Sequence, residues 1–171
     1  SYFLEHVYNY SGISIDAIDY KEEFYTFRPN TIFIQSLIDS KETNKIFNLV
    51  HNEDGWENQV SSIHKETLTM GKGFKADAIE MKTSTLQKLL PYNCVIDILM
   101  VDVEGHEIEV LDSLNWELNS PRIILIENNG EFYNRKKLEN FIIKKGYKLY
   151  ARIGTSDDIY VLNNLKINSD K

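Results

Sequence analysis

Four polar side chains that could do chemistry follow a short apolar run in the middle of the chain. The run is Ile98–Val101, and the polar residues after it are Asp102, Glu104, His106 and Glu107. A short run of branched apolar residues is typical of a strand covered on both faces, as in a parallel sheet. Carboxylates at the carboxyl end of such a strand lie where open α/β sheets bind their ligands. This stretch therefore predicts a strand, a tight turn and a functional site.

A second polar pair follows another apolar run, residues 122–126. The pair is Glu127 and Asn128, and neighbouring parallel strands lie about 4.8 Å apart, so these side chains can share a pocket with Asp102. Three oxygen side chains with open positions suit Mg²⁺, which would lower the pKa of a bound hydroxyl. This arrangement resembles the divalent-metal site of metal-dependent O-methyltransferases, and the resemblance implies that Asp102, Glu127 and Asn128 hold Mg²⁺.

A competing interpretation uses Glu104 or His106 as a general base. Histidine has an unperturbed pKa near 6.5, which suits proton transfer at neutral pH. A histidine at a helix start that only hydrogen-bonds a neighbour is the structural alternative. Glu107 and Glu109 are interpreted as acidic residues that complement the dipole of that helix.

Strand-like and helix-like segments alternate around these residues, which predicts a mostly parallel α/β sheet with right-handed crossovers. Hydrophobic spacing, Gly and Pro mark five helices, at 2–10, 20–27, 85–90, 106–114 and 135–145. The strands are expected at 13–18, 31–38, 46–50, 77–82 (an edge strand), 98–101, 122–126, 147–153 and 158–162.

Three strings together carry a resemblance to a known family. They are Thr85-Leu86-Gln87-Lys88-Leu89-Leu90, Asp102-Val103-Glu104-Gly105-His106-Glu107 and Pro121-Arg122-Ile123-Ile124-Leu125-Ile126-Glu127. The chain resembles the FkbM family of S-adenosylmethionine-dependent methyltransferases over nearly its whole length. The resemblance implies a Rossmann-like sheet of seven strands with the last strand antiparallel. It also implies methyl transfer to a hydroxyl of a sugar or other small metabolite.

The resemblance also implies where the cofactor binds. Asp16 matches the strand-end acid that takes the ribose hydroxyls, and a carboxylate can accept two such hydrogen bonds. Ala17, Ser36, Leu37 and Asp102 are expected to line the same site. An ordinary exposed aspartate is the structural alternative at position 16.

The family's first strand and its glycine-rich turn have no counterpart here, since no G-x-G-like string follows a strand. A glycine turn lets the backbone and helix N-terminal amides approach a ligand closely. The chain is therefore interpreted as one domain, 1–171, truncated at its N-terminus. A degenerate, non-catalytic methyltransferase-like module for binding or assembly is the alternative. Residues 51–75 form either a lid over the site or a solvated excursion.

Composition excludes several other classes of protein. The formal net charge of −7 argues against a nucleic-acid partner, and no apolar run is long enough for a membrane helix. A single cysteine, Cys94, predicts a reducing, cytoplasmic location without a disulfide framework. The absence of a G-x-G-x-x-G string argues against a nucleotide-binding oxidoreductase. The sequence leaves the acceptor and the oligomeric state open.

Overall fold

The computed structural model describes residues 2–51, 61–64, 75–130 and 134–165. The described part is a mixed α/β structure, as the sequence predicts. Its helices are α1 (Tyr2–Tyr8), α2 (Lys21–Phe27), α3 (Leu86–Leu89), α4 (Glu107–Asp112) and α5 (Arg135–Lys144). Its strands are β1 (Gly12–Asp16), β2 (Thr31–Gln35), β3 (Leu37–Ile38), β4 (Asn44–His51), β5 (Lys75–Ser84), β6 (Ile98–Val101), β7 (Ile123–Glu127), β8 (Tyr147–Ile153) and β9 (Asp157–Leu162).

The strands form three sheets within these residues. β1 and β2 pair in parallel, and a second sheet has the order β3-β5-β4, with β3 parallel and β4 antiparallel to β5. The third sheet has the order β6-β7-β9-β8, in which only β6 and β7 are parallel. The expected single, mostly parallel sheet is therefore not observed, since the described strands pair into three separate sheets. The antiparallel last strand β9 agrees with the expectation.

Two predicted strands differ from the observed ones. The segment expected as an edge strand at 77–82 is β5, which pairs on both sides and occupies the middle of its sheet. The segment 31–38 is not one strand, because it divides at Ser36. There the Ser36 amide donates to the Asp16 carbonyl at 2.7 Å. Before Ser36 the segment is β2, which pairs with β1, and after Ser36 it is β3, which pairs with β5.

The hydrophobic core lies between the third sheet and its helices. Ile124 and Ile126 on β7 pack with Leu111 of α4 and Leu138 of α5, and all four are fully buried. Burying a side chain of this size contributes about 1.5–3 kcal/mol. Ile15 of β1 also packs against this core, so the β1-β2 pair is attached to the same hydrophobic centre.

Helix α5 shows why local sequence fixes an element here. The Asn134 side chain accepts from the Lys136 amide at 2.9 Å and caps the helix start. Leu138 and Ile142, four residues apart, are its buried positions, and Gly146 with φ of 93° ends it. The predicted helix at 135–145 is therefore confirmed.

A buried ion-pair network ties the end of β7 to β8 and β9. The Asp158 carboxylate is fully buried and accepts two hydrogen bonds from Arg152, at 2.6 and 2.8 Å. It also accepts from Asn128 Nδ2 at 2.7 Å and from the Tyr160 hydroxyl at 3.1 Å. These contacts fix the backbone that follows Glu127.

In the part of the chain that the structure describes, no helix is long and apolar enough to span a membrane.

Candidate functional site

The turn between β6 and α4 has an unusual backbone. Glu104 has φ of 52°, which is uncommon for a residue with a side chain, and Gly105 has φ of 97°. The carboxylate of Glu107, which is 1% exposed, accepts from the amides of Val103 at 3.3 Å and Gly105 at 3.1 Å. Glu107 thus holds the turn, a role that its prediction as a helix-dipole residue did not include.

A second contact holds the turn from the β3-β5-β4 sheet. Ser62 is buried, and its hydroxyl donates to the Glu104 carbonyl at 2.9 Å. Its backbone exchanges two hydrogen bonds with Asn48 of β4, at 2.9 and 3.2 Å. Residues 61–64 of the expected lid therefore touch the turn, while 52–60 and 65–74 lie outside the described residues.

Three carboxylates meet at the carboxyl ends of β6 and β7. Asp102, Glu104 and Glu127 each place an oxygen within 4.8 Å of the other two. Burial, followed by the charges of Asp102, Glu104 and Glu107, raises the pKa of Glu127 to about 7. Burial also raises the pKa of Asp102, with Glu107 and Asp157 adding to it. Such a cluster favours either a shared proton or a bound cation.

Asn128, the third predicted magnesium ligand, is held by the buried network. Its Nδ2 donates to Asp158, and its Oδ1 is buried without a hydrogen-bond partner in the described structure. The structure therefore brings Asp102 and Glu127 together with Glu104. It leaves the side-chain oxygen of Asn128 as an acceptor that a ligand could satisfy.

His106 follows the turn as the N-cap residue of α4 and is 5% exposed. Its Nε2 is 3.4 Å from Asp39 Oδ1, and its Nδ1 is 3.6 Å from Glu109 Oε2. The His64 ring lies 5.7 Å away between centroids. Burial lowers the pKa of His106, partly against the effect of Glu109, so the ring is neutral near pH 7.

Four of the five predicted cofactor residues, Asp16, Ala17, Ser36 and Leu37, group at the ends of β1 and β2, while the fifth, Asp102, follows β6. Asp16 accepts from the Ile18 amide at 2.8 Å, and burial raises the pKa of its carboxyl. Ser36 bonds the Asp16 carbonyl, and Gln35 Nε2 donates to the Ala17 carbonyl at 3.2 Å. Leu37 is buried directly after Ser36. An opening of about 310 Å³, lined by residues 19–23, adjoins this group along the chain.

Two residues of the site region were not predicted. Asp39 and Ser62 both contact the β6–α4 turn from the β3-β5-β4 sheet. Ser62 is 42 residues away from its partner in the sequence, so no local pattern marks it. The D-S string at 39–40 reads as part of a polar loop, and only the pairing of β3 with β5 shows its position.

The charge of Glu127 gives a testable prediction about stability. Between pH 4.5 and about 7 the folded state keeps the Glu127 proton that the unfolded state has lost. The contribution of Glu127 to the free energy of unfolding is therefore fully present below pH 4.5 and is lost as pH rises through about 7. We expect Glu127→Gln to be neutral near pH 4.5 and to stabilise the protein by about 1 kcal/mol at pH 8, after discounting for solvent screening. Urea unfolding with a chelator present measures this.

The matched control is Glu117→Gln, since Glu117 is an exposed carboxylate outside the cluster. Equal effects of the two substitutions at both pH values would contradict the assigned repulsion.

Comparison with known proteins supports the same region. No match was found among curated proteins or among solved structures. The family model of the methyltransferase FkbM domain matches residues 18–149, which is 132 of the 171 residues. The match includes the carboxylate cluster and His106, and it begins two residues after Asp16. The chain therefore belongs to the methyltransferase FkbM domain family.

Proposed function

We propose that this chain transfers a methyl group from S-adenosylmethionine to a hydroxyl of a sugar or other small metabolite. Membership of the family supports methyl transfer. The observation that carries the proposal is the meeting of Asp102, Glu104 and Glu127 at the ends of two parallel strands. Methyl transfer to a hydroxyl needs its oxygen aligned with the donor and its proton removed.

The β1-β2 sheet and the β6-β7-β9-β8 sheet would fit a Rossmann-like arrangement as two parts of one sheet. β1 and β6 are each paired on one side only in the described structure, each with a parallel neighbour. Ile15 packs on the core shared with β6 and β7. One further strand between β1 and β6 would place Asp16 and Asp102 at one sheet edge, two strand spacings or about 10 Å apart.

The residues at the end of β1 fit S-adenosylmethionine, whose bound form supplies an electrophilic methyl group on sulfur. The half-buried Asp16 carboxylate would accept the ribose hydroxyls, since it can bind two donors. Ala17, Ser36 and Leu37 would line this site, since Ser36 bonds the Asp16 carbonyl and Gln35 bonds the Ala17 carbonyl. Asp102 would face the donor from β6.

Two schemes remain for the acceptor proton. In the first, Asp102, Glu127 and the buried Oδ1 of Asn128 would hold Mg²⁺, which suits oxygen donors and acidifies a bound hydroxyl. In the second, His106 or Glu104 takes the proton directly. The neutral state of His106 supports the second scheme.

A non-catalytic binding module is the second candidate function. The sequence feature that favours it is the lack of a glycine-rich string after a strand. Such a module would keep the family's fold but would bind S-adenosylmethionine weakly or not at all.

Titration of S-adenosylmethionine into the full chain by calorimetry separates these candidates. We expect binding to the wild type and a roughly 10- to 100-fold weaker Kd for Asp16→Ala, because two hydrogen bonds to a charged acceptor are lost. Glu117→Ala is the control, since Glu117 is an exposed carboxylate far along the chain from the residues proposed to bind the cofactor. Absence of binding to the wild type would support the module, and equal binding by Asp16→Ala would remove the ribose role.

A further inference from the structure

His106 is a buried histidine whose two ring nitrogens face different groups. Nε2 faces Asp39 and Nδ1 faces Glu109. Neither nitrogen makes a hydrogen bond of good geometry within the described structure. A neutral imidazole has one N–H donor and one lone pair. What this ring can do therefore depends on which nitrogen has the proton.

The Asp39 carboxylate is fixed on several sides. Asp39 is 2% exposed, and its Oδ2 lies 2.7 Å from Lys45 Nζ. Its Oδ1 accepts from the Ser40 amide at 2.7 Å, and its own amide donates to the Ser84 carbonyl at 2.9 Å. The oxygen that faces His106 therefore cannot rotate away without breaking these contacts.

Glu109 holds its position less firmly than Asp39. Its side chain is 40% exposed, so water screens its charge and competes for its oxygens. Lys45 compensates much of the negative charge of Asp39. Of the two carboxylates that face His106, Asp39 is therefore the one held in a fixed position.

We infer that Asp39 is a positioning residue that accepts a hydrogen bond from Nε2–H of His106 and so fixes the ring orientation and tautomer. This inference rests on the proposed function for its catalytic meaning. The lone pair of the buried Nδ1 then faces Glu109, and an acceptor hydroxyl would reach it by displacing the half-exposed Glu109 side chain. As the acceptor oxygen bonds to the methyl carbon, the carbon–sulfur bond breaks with its electron pair left on sulfur, and Nδ1 receives the hydroxyl proton.

Nitrogen-15 NMR of the imidazole rings tests the tautomer directly. We expect the wild-type His106 proton on Nε2, with the signal assigned by its loss in His106→Asn. In Asp39→Asn, Lys45 retains the carbonyl oxygen and the amide NH₂ faces Nε2, so we expect the proton to move to Nδ1. A wild-type proton on Nδ1, or an unchanged tautomer in Asp39→Asn, would overturn the inference.

Kinetics provide the second measurement. We expect Asp39→Asn to lower kcat about 10- to 100-fold with KM for S-adenosylmethionine within about twofold of wild type. Asp39→Glu, which keeps a carboxylate, should recover part of the rate. The control is Glu42→Gln, because Glu42 forms an exposed pair with Lys88 and should leave both rate and tautomer unchanged.

The two proposals can fail separately. The tautomer is measured without turnover, so an absence of methyl transfer in every variant would remove the proposed function and leave the NMR result standing. If Asp39→Asn does not fold, the wild-type spectrum together with that of Glu109→Gln decides. A proton that moves from Nε2 to Nδ1 in Glu109→Gln would assign the positioning to Glu109 and overturn the role of Asp39.

Discussion

Replacing Asp102 by asparagine is expected to lower the rate of methyl transfer by about 100-fold or more while the protein stays folded. Asp102 follows β6 and is not part of the hydrophobic core, so the substitution leaves the core intact. It removes one of three carboxylates that meet where the acceptor would be deprotonated, and positioned proton transfer typically contributes about 10²–10⁴-fold. Transfer of a labelled methyl group to a panel of polyols and sugars measures the rate.

The control for this substitution is Asp112→Asn. Asp112 is an exposed aspartate at the end of α4, outside the carboxylate cluster. If both substitutions lower the rate equally, or if neither does, the cluster is not where the acceptor loses its proton.

Chelation distinguishes the two schemes for that proton. With bound Mg²⁺, a chelator should abolish transfer in the wild type and add nothing to Asp102→Asn. With His106 as base, a chelator should have no effect and His106→Ala should lose about as much rate as other general-base variants, roughly 10²–10⁴-fold. A wild type indifferent to the chelator and to both substitutions would contradict both schemes.

Replacing Asp158 by alanine is expected to destabilise the fold by about 2–3 kcal/mol, because the buried Tyr160 hydroxyl and Asn128 amide lose the oxygen that accepts their hydrogen bonds. The substitution removes the acceptor of the Arg152 guanidinium and of the Tyr160 hydroxyl. It also frees Asn128 beside the site. Urea unfolding at pH 7 measures the change as a shift of the midpoint at constant slope.

An exposed ion pair provides the control for Asp158. Asp97 accepts from Arg122 at 2.6 Å, but both side chains are well exposed, at 43% and 57%. We expect Asp97→Ala to change stability by less than about 1 kcal/mol. A loss below about 1 kcal/mol in Asp158→Ala would show that its network contributes little to stability.

Segments with strong local signals could be predicted from the sequence. The apolar run of β6 and the capped, amphipathic α5 were predicted within one residue of their observed bounds. Both depend on residues close together in sequence. In β6 these are the apolar residues 98–101, and in α5 they include Asn134, Leu138 and Gly146. Local propensity and side-chain spacing were sufficient there.

The part of the site that depends on distant pairing could not be predicted. β5 pairs with β4 across the 52–74 segment and with β3 at Leu37 and Ile38, so its central position has no local signal. The same pairing brings Asp39 and Ser62 to the β6–α4 turn. Apolar runs followed by carboxylates led to Asp102 and Glu127, and Glu104 was predicted as a candidate base, but its meeting with those two carboxylates was not predicted.

The distribution of the core has a consequence for how the molecule opens. Within the described residues, every buried member of the core cluster except Ile38 comes from residues 86–160. Regions with many buried contacts exchange their amide hydrogens slowly, and thinly packed regions open first. The turn that contains Glu104 and His106 lies within residues 86–160, where we expect slow exchange. Asp16 lies on the two-stranded β1-β2 sheet, outside that range. A donor held by Asp16 would therefore be expected to tighten β1 and β2 far more than the rest of the chain.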